Sequence, residues 1–146
     1  MRKSRPSTQT FLLDTNVFIA AIKDPERQTS ALRLMFKIIK DPGIRLVGNI
    51  LLAEEMHRYA ELFKSKRAAI LVSCLLSKME LVRVPENYVR ICKSYIRTPD
   101  KADVLHAATC LQTGAALITN DRHFDLIKEE GIIKVLSVSE AIRKLL

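Results

Sequence analysis

The chain reads as an α/β protein, a three-layer α/β/α sandwich around a central, mostly parallel five-stranded sheet. Three observations carry this reading. Short apolar runs alternate with helical patterns along the whole length. Two of these runs, Phe11-Leu12-Leu13 and Ala116-Leu117-Ile118, are uniformly apolar, as strands covered on both faces of a parallel sheet are. Both then stop at polar and acidic residues, Asp14-Thr15-Asn16 and Thr119-Asn120-Asp121, which sets carboxylates at the edge where open α/β sheets place their ligands.

The elements follow in order. Residues 1–10 are a polar, basic, proline-containing tail, expected to be flexible, and residues 11–146 form a single domain. Strand 11–13 leads into a short helix over Asn16–Ile22, closed by Asp24-Pro25. A second helix spans Thr29–Lys40, with Leu32, Met35, Phe36 and Ile39 on one face, and breaks at Asp41-Pro42-Gly43. A short strand over Arg45–Val47 precedes the capping residue Asn49 and a helix over Ile50–Phe63. After Ser65 another helix carries Ala69–Met79, and Leu81–Val84 reads as a strand ended by Pro85. Helices over Glu86–Tyr95 and Lys101–Thr113 follow, the second stopped by Gly114. Strand 116–119, a helix over Arg122–Glu130 stopped by Gly131, strand 133–138 and a last helix to Leu146 complete the chain.

Composition narrows the function classes. With 146 residues, 48% of them hydrophobic, the chain supports one core. Its longest apolar stretch, Ala68–Leu76, falls short of the roughly 20 residues of a membrane span, and no apolar signal core follows Arg2, Lys3 and Arg5. Cys74, Cys92 and Cys110 are odd in number, widely spaced and set in helical patterns, so they read as small buried hydrophobes in a reducing, cytoplasmic protein. The net charge of +8 favours a polyanionic partner.

Carboxylates at the strand ends are therefore out of character with the overall charge. Glu54 shares its helix face with Arg58 and Glu61, a solvated stripe, whereas Glu55 stacks with Leu51, Leu52, Tyr59 and Leu62 and is the acid on the buried side. Asp100 is placed to cap its helix, with Asp103 in the position of a capping box. Asp103 also lies on the small-residue side of His106, Ala107 and Cys110 and is the better inward-pointing acid. His106 reads as a packed, hydrogen-bonded residue before a ligand or base. Asp14 and Asp121 each have helix capping as an alternative role. Taken with Glu55 and Asp103, they form a cluster that repels itself unless a cation neutralises it, and hard oxygen ligands suit Mg²⁺ or Mn²⁺. No zinc spacing and no glycine-rich phosphate loop occurs among the four glycines.

Leu12-Leu13-Asp14-Thr15-Asn16, Glu55-Met56, the segment from Asp103 to Thr109 and Leu117-Ile118-Thr119-Asn120-Asp121-Arg122-His123-Phe124 resemble, in order, the motifs of the PIN-domain family. The resemblance covers nearly the whole chain from Phe11. It implies a PIN-like sandwich, Mg²⁺ or Mn²⁺ held by Asp14, Glu55, Asp103 and Asp121, and endoribonuclease activity. Thr15, Asn16, Thr119 and Asn120 would be the supporting polar groups, and Arg122 and His123 candidate phosphate contacts. Many small members, called VapC, are the toxin of a toxin–antitoxin pair, so RNA, a small antitoxin and a second copy in a homodimer are the implied partners. This chain departs from the family in having Asn49 where Ser or Thr often precedes the second acid. The Glu54-Glu55 doublet and the Asp100/Asp103 pair each leave the acid used open by sequence.

The implied chemistry is metal-assisted hydrolysis of RNA phosphodiester bonds, with no side-chain nucleophile required. The competing readings are a binding or assembly module that holds RNA without cutting, a processing nuclease outside toxin systems, and a phosphatase. Against the last, Thr15-Asn16-Val17 lacks a second Asp two residues after Asp14. With three Tyr, five Phe and no Trp, an aromatic base-stacking platform is not supported.

Overall fold

The computed structural model describes residues 9–23, 29–97 and 100–146. The basic residues Arg2, Lys3 and Arg5 and the Asp24-Pro25 stop lie outside the described residues. The strands are β1 (Gln9–Leu13), β2 (Ile44–Gly48), β3 (Glu80–Leu81), β4 (Ala116–Ile118) and β5 (Val135–Leu136). The helices are α1 (Thr15–Ile22), α2 (Ser30–Lys40), α3 (Ile50–Phe63), α4 (Lys66–Lys78), α5 (Glu86–Lys93), α6 (Lys101–Thr113), α7 (Asp125–Glu129) and α8 (Val138–Leu145). A 3-10 turn, Arg122–Phe124, runs straight into α7.

The sheet order is β3-β2-β1-β4-β5, and every neighbouring pair is parallel. Chain direction across the sheet reverses between β1 and β4: the chain first works outward through β2 to β3, then returns to pair β4 on the other side of β1. That crevice is the topological switch point at which such sheets bind ligands. Phe11, Leu12 and Leu13 are consecutive and all buried, as are Ala116, Leu117 and Ile118, so both faces of the central strands are covered. Helix α6 packs across β1, β2 and β4 with α5 against it, while α2 packs against α1, α4 and α8.

Several boundaries differ from the sequence reading for identifiable reasons. Gln9 and Thr10, assigned to the tail, extend β1, because β2 starts early enough to pair Gln9 with Ile44 and Thr10 with Arg45. Strand β3 is shorter and earlier than Leu81–Val84: β2 leaves the sheet at Asn49, so only Glu80 and Leu81 find register partners, in Val47 and Gly48. Strand β5 likewise shrinks to the two residues that face Leu117 and Ile118. Helix α4 starts at Lys66, capped by the Ser65 hydroxyl. The expected single helix over Arg122–Glu130 is split by the tight turn that Asp121 caps. Cys92 and Cys110 are buried, and burial pushes the Cys92 thiol up to about 11; Cys74, by contrast, is exposed.

At the β2–α3 junction Gly48 packs closely against Met79, whose side chain would have to shift to admit a larger residue. A Cβ there would lie 2.3 Å from the Met79 sulfur and 3.3 Å from Leu52 Cδ2. Asn49 follows directly as the cap of α3, which carries Glu55. No described helix is long and apolar enough to cross a membrane.

Candidate functional site

The carboxyl ends of β1 and β4 lie side by side, with the Asp14 N–H donating to the Ile118 carbonyl at 3.0 Å. Asp14 is buried at the start of α1, where its Oδ1 accepts from the Thr15 N–H at 2.8 Å. Its other oxygen, Oδ2, accepts from the Thr119 hydroxyl at 2.7 Å, which ties β1 to β4 through side chains. Burial raises the Asp14 carboxyl above its ordinary range. The Thr119 hydroxyl, the nearby His106 and the Thr15 N–H oppose that rise, and the Asp121 charge adds to it.

Asp103 enters from the first turn of α6 and is also buried. Its carboxyl is raised by burial first and then by the charges of Asp100 and Asp14, against a hydrogen bond from His123. Asp100, in contrast, is exposed and caps α6 by accepting from the Ala102 N–H at 2.9 Å. The two acids of that segment thus divide the roles, with the cap at Asp100 and the inward carboxylate at Asp103.

Asp121 caps the 3-10 turn, its Oδ1 accepting from the His123 N–H at 3.0 Å, while its own N–H donates to the Thr119 hydroxyl oxygen at 3.0 Å. The same turn swings the His123 ring back over the acids. His123 Nδ1 stands 3.3 Å from Asp103 Oδ2 and 3.2 Å from Asp121 Oδ1. One ligand atom from each of Asp103, Asp121 and His123 therefore falls within 4.8 Å of the others. Adjacent ligands of an octahedral ion with bonds of about 2.1 Å are separated by about 3.0 Å, so these spacings suit three donors converging on one divalent cation. Sequence reasoning placed His123 as a phosphate contact. The ring stays half exposed to solvent and stands at the mouth of the acidic cluster.

On α3, Glu54 is exposed and Glu55 is turned inward, its side chain 18% accessible. Glu55 Oε1 is buried with no hydrogen-bond partner. Side-chain atoms in the same condition among the described residues include Thr15 Oγ1, Asn16 Oδ1 and His106 Nε2, all on residues of this region. Native proteins leave few buried polar atoms unpaired, so a concentration of them around carboxylates marks a place built for something else.

The supporting groups sort differently from the expectation. Thr119 bonds Asp14 directly, and the Asn16 amide reaches the Thr119 hydroxyl oxygen at 3.5 Å. Thr15 orients Asp14 through its backbone N–H only. Asn120 is exposed and bonds no acid among the described residues; its Oδ1 accepts from the Val138 N–H at 3.1 Å and ties the β4 loop to α8. Arg122 is exposed. What sequence reasoning missed is a network between α3 and α6, formed by Asn49, His106 and Thr109, whose members lie too far apart in the chain to announce themselves.

The arrangement brings buried and half-buried acids, two of them raised by burial and mutual repulsion, to one sheet edge with an imidazole among them. Hard carboxylate oxygens with an imidazole nitrogen at these spacings form a donor set that fits a hard or borderline divalent cation.

Several solved structures share this fold. The chain is similar to VapBC2 from Rickettsia felis, solved bound to a DNA fragment from its promoter, at 18% identity over 88% of this chain and 98% of that one, with a TM-score of 0.61. It is similar to VapBC-1 from nontypeable Haemophilus influenzae at 20% identity, over 90% and 99% of the two chains, with a TM-score of 0.60. It is also similar to FitAcB from Neisseria gonorrhoeae at 18% identity, over 88% and 98%, with a TM-score of 0.58. No curated protein matches it significantly. The PIN domain family profile matches residues 11–130, a span that runs from β1 through α7 and contains Asp14, Glu55, Asp103 and Asp121, and the chain accordingly belongs to the PIN-domain family.

Proposed function

We propose that this protein is a metal-dependent endoribonuclease that uses Mg²⁺ or Mn²⁺ at the β1/β4 edge, and that it acts as the toxin of a toxin–antitoxin pair in the cytoplasm. The observation that carries the reading is the convergence of Asp103, Asp121 and His123 on one small volume beside buried Asp14, with the Glu55 oxygen left unpaired. Asp14, Glu55, Asp103 and Asp121 would hold the cation, with His123 Nδ1 as a further ligand. When bound, the cation supplies the charge that lowers the pKa of a water and offsets charge developing on the phosphate.

The chain's own residues do the remaining work. The Thr119 hydroxyl and the Thr15 N–H fix both oxygens of Asp14 before any ligand arrives, so little reorganisation is needed there. Burial of Asp14 and Asp103 lowers the local dielectric and strengthens any interaction with a cation. Arg122, exposed beside the acids, is available to the phosphate backbone, and the net charge of +8 attracts a polyanion as a whole. The toxin role rests on the likeness to VapBC structures, which also supports a small antitoxin as partner; a homodimer is part of the same proposal.

The test is cleavage of a fluorogenic RNA with an internal scissile linkage, in Mg²⁺ or Mn²⁺ and in EDTA, with Asp14→Asn purified identically. Cutting that needs metal and disappears in the variant is expected. A wild type that neither cuts RNA nor binds metal refutes the enzyme and favours a module that holds RNA without cutting it.

A further inference from the structure

We propose that His106 is a positioning residue for Glu55, a brace held by Asn49 that presents a ring N–H to the carboxylate and sets it for the cation; this rests on the metal-site reading above. Asn49 caps α3. Asn49 Oδ1 accepts from the Leu52 N–H at 2.8 Å, which turns the amide NH₂ toward α6. That NH₂ lies 3.0 Å from the Thr109 hydroxyl oxygen and 3.1 Å from His106 Nδ1. The Thr109 hydroxyl spends its own hydrogen on the Leu105 carbonyl at 2.8 Å, so it accepts from Asn49.

An amide NH₂ has only hydrogens to offer, so His106 Nδ1 receives one and is itself bare. A neutral imidazole with a bare Nδ1 carries its proton on Nε2. His106 Nε2 is buried without a hydrogen-bond partner and lies 3.7 Å from Glu55 Oε1, which is buried and unpartnered as well. A donor and an acceptor, both desolvated, thus face each other just beyond bonding distance. A shift of about 0.7 Å makes the bond, and contacts of this kind tighten when a site fills.

Two consequences follow. The proton on Nε2 removes its lone pair, so His106 is not itself a metal ligand although it sits in the site. Asn49 caps α3 and Glu55 lies in its second turn, so the ring bridges the cap of that helix to its acid and fixes the rotation of the first turns. Exposed Glu54 faces away from this brace, which selects Glu55. Asn49, the chain's departure from the family pattern, gains a role that a hydroxyl could not fill in the same way, since Asn49 donates to two groups while accepting from a third.

The experiment has two readouts. Long-range ¹H–¹⁵N NMR of the metal-free wild type should show the His106 ring, assigned by its loss in His106→Gln, protonated on Nε2 with Nδ1 bare. Calorimetric titration with Mn²⁺ should find His106→Gln, whose amide can place an N–H near the Nε2 position, within about threefold of wild type. His106→Leu should bind about 10–100-fold more weakly, as loss of a group that orients a ligand does. A ring protonated on Nδ1, or His106→Leu binding Mn²⁺ as tightly as wild type, overturns the brace. A wild type that binds no Mn²⁺ overturns the cation site itself and leaves the brace without its purpose.

Discussion

Thr119→Val removes one hydroxyl while keeping the shape of the side chain, and the structure sets what that removal should do. The hydroxyl donates to Asp14 Oδ2 at 2.7 Å and accepts from the Asp121 N–H at 3.0 Å, on a residue that is buried. A hydrogen bond to a charged group contributes about 1.5–3 kcal/mol, and the neutral one about 0.5–1.5 kcal/mol, part of which water recovers at half-buried Asp121. The expected destabilisation at neutral pH is therefore about 2–3 kcal/mol, or roughly 6–9 °C in Tm for a chain of this size. The effect has a pH signature. The hydroxyl favours the ionised form of Asp14, so its contribution is fully present above the Asp14 pKa and is lost as pH falls through it. Urea denaturation in EDTA at pH 7.5 and near pH 4 measures both numbers. Thr113→Val serves as control, because among the described residues its hydroxyl bonds the Thr109 carbonyl and the Ala115 N–H and no carboxylate. A loss at Thr119 below about 0.5 kcal/mol, or one independent of pH, refutes the claim that this hydroxyl holds the buried acid.

Asp14→Asn should stabilise the metal-free protein at neutral pH while removing metal-dependent cutting. Burial raises the folded carboxyl above its unfolded value, so between the two the folded state holds more protons, and the contribution of this group falls as pH rises through that window. The variant should gain about 0.5–2 kcal/mol at pH 7.5 and nothing near pH 4; a variant less stable at pH 7.5 contradicts this. Glu54→Gln should leave Mn²⁺ affinity within about twofold, and Glu55→Gln should weaken it by at least about tenfold; equal effects in calorimetry would deny that Glu55 is the inward acid. Gly114→Ala isolates backbone strain, since φ is +78° and an added Cβ would meet nothing within 4 Å. It should cost about 1 kcal/mol by a lowered urea midpoint at unchanged slope, with catalysis intact.

How far the fold and site were legible depended on whether a feature was local. Phe11-Leu12-Leu13 and Ala116-Leu117-Ile118 announced central strands because burial on both faces removes the alternation that a half-exposed strand shows. Helical spacing alone turned Glu55 inward and Glu54 out, and set Asp103 on the packed side of α6, because those facts are properties of one helix. Strand β3 was misplaced by its own β-forming residues: where it pairs is decided by β2, which ends at Gly48. Gln9 and Thr10 looked like tail for the same reason, since nothing in them shows that Ile44 and Arg45 lie alongside. Asn120 carries the polar chemistry of a site residue but turns to the start of α8, a contact across 18 residues. The Asn49–His106 contact spans 57 residues and the Thr119–Asp14 bond 105, so both belong to tertiary packing and could not be read from local pattern.

Diffraction from crystals grown with Mn²⁺ decides whether the acids of the β1/β4 edge gather one divalent cation. An anomalous peak is expected about 2.0–2.3 Å from carboxylate oxygens of Asp103 and Asp121, with His123 Nδ1 in the same shell and Asp14 facing it. Saturating Mn²⁺ with no peak there, or with the ion bound on another face while the acids remain paired to His123 alone, would contradict it.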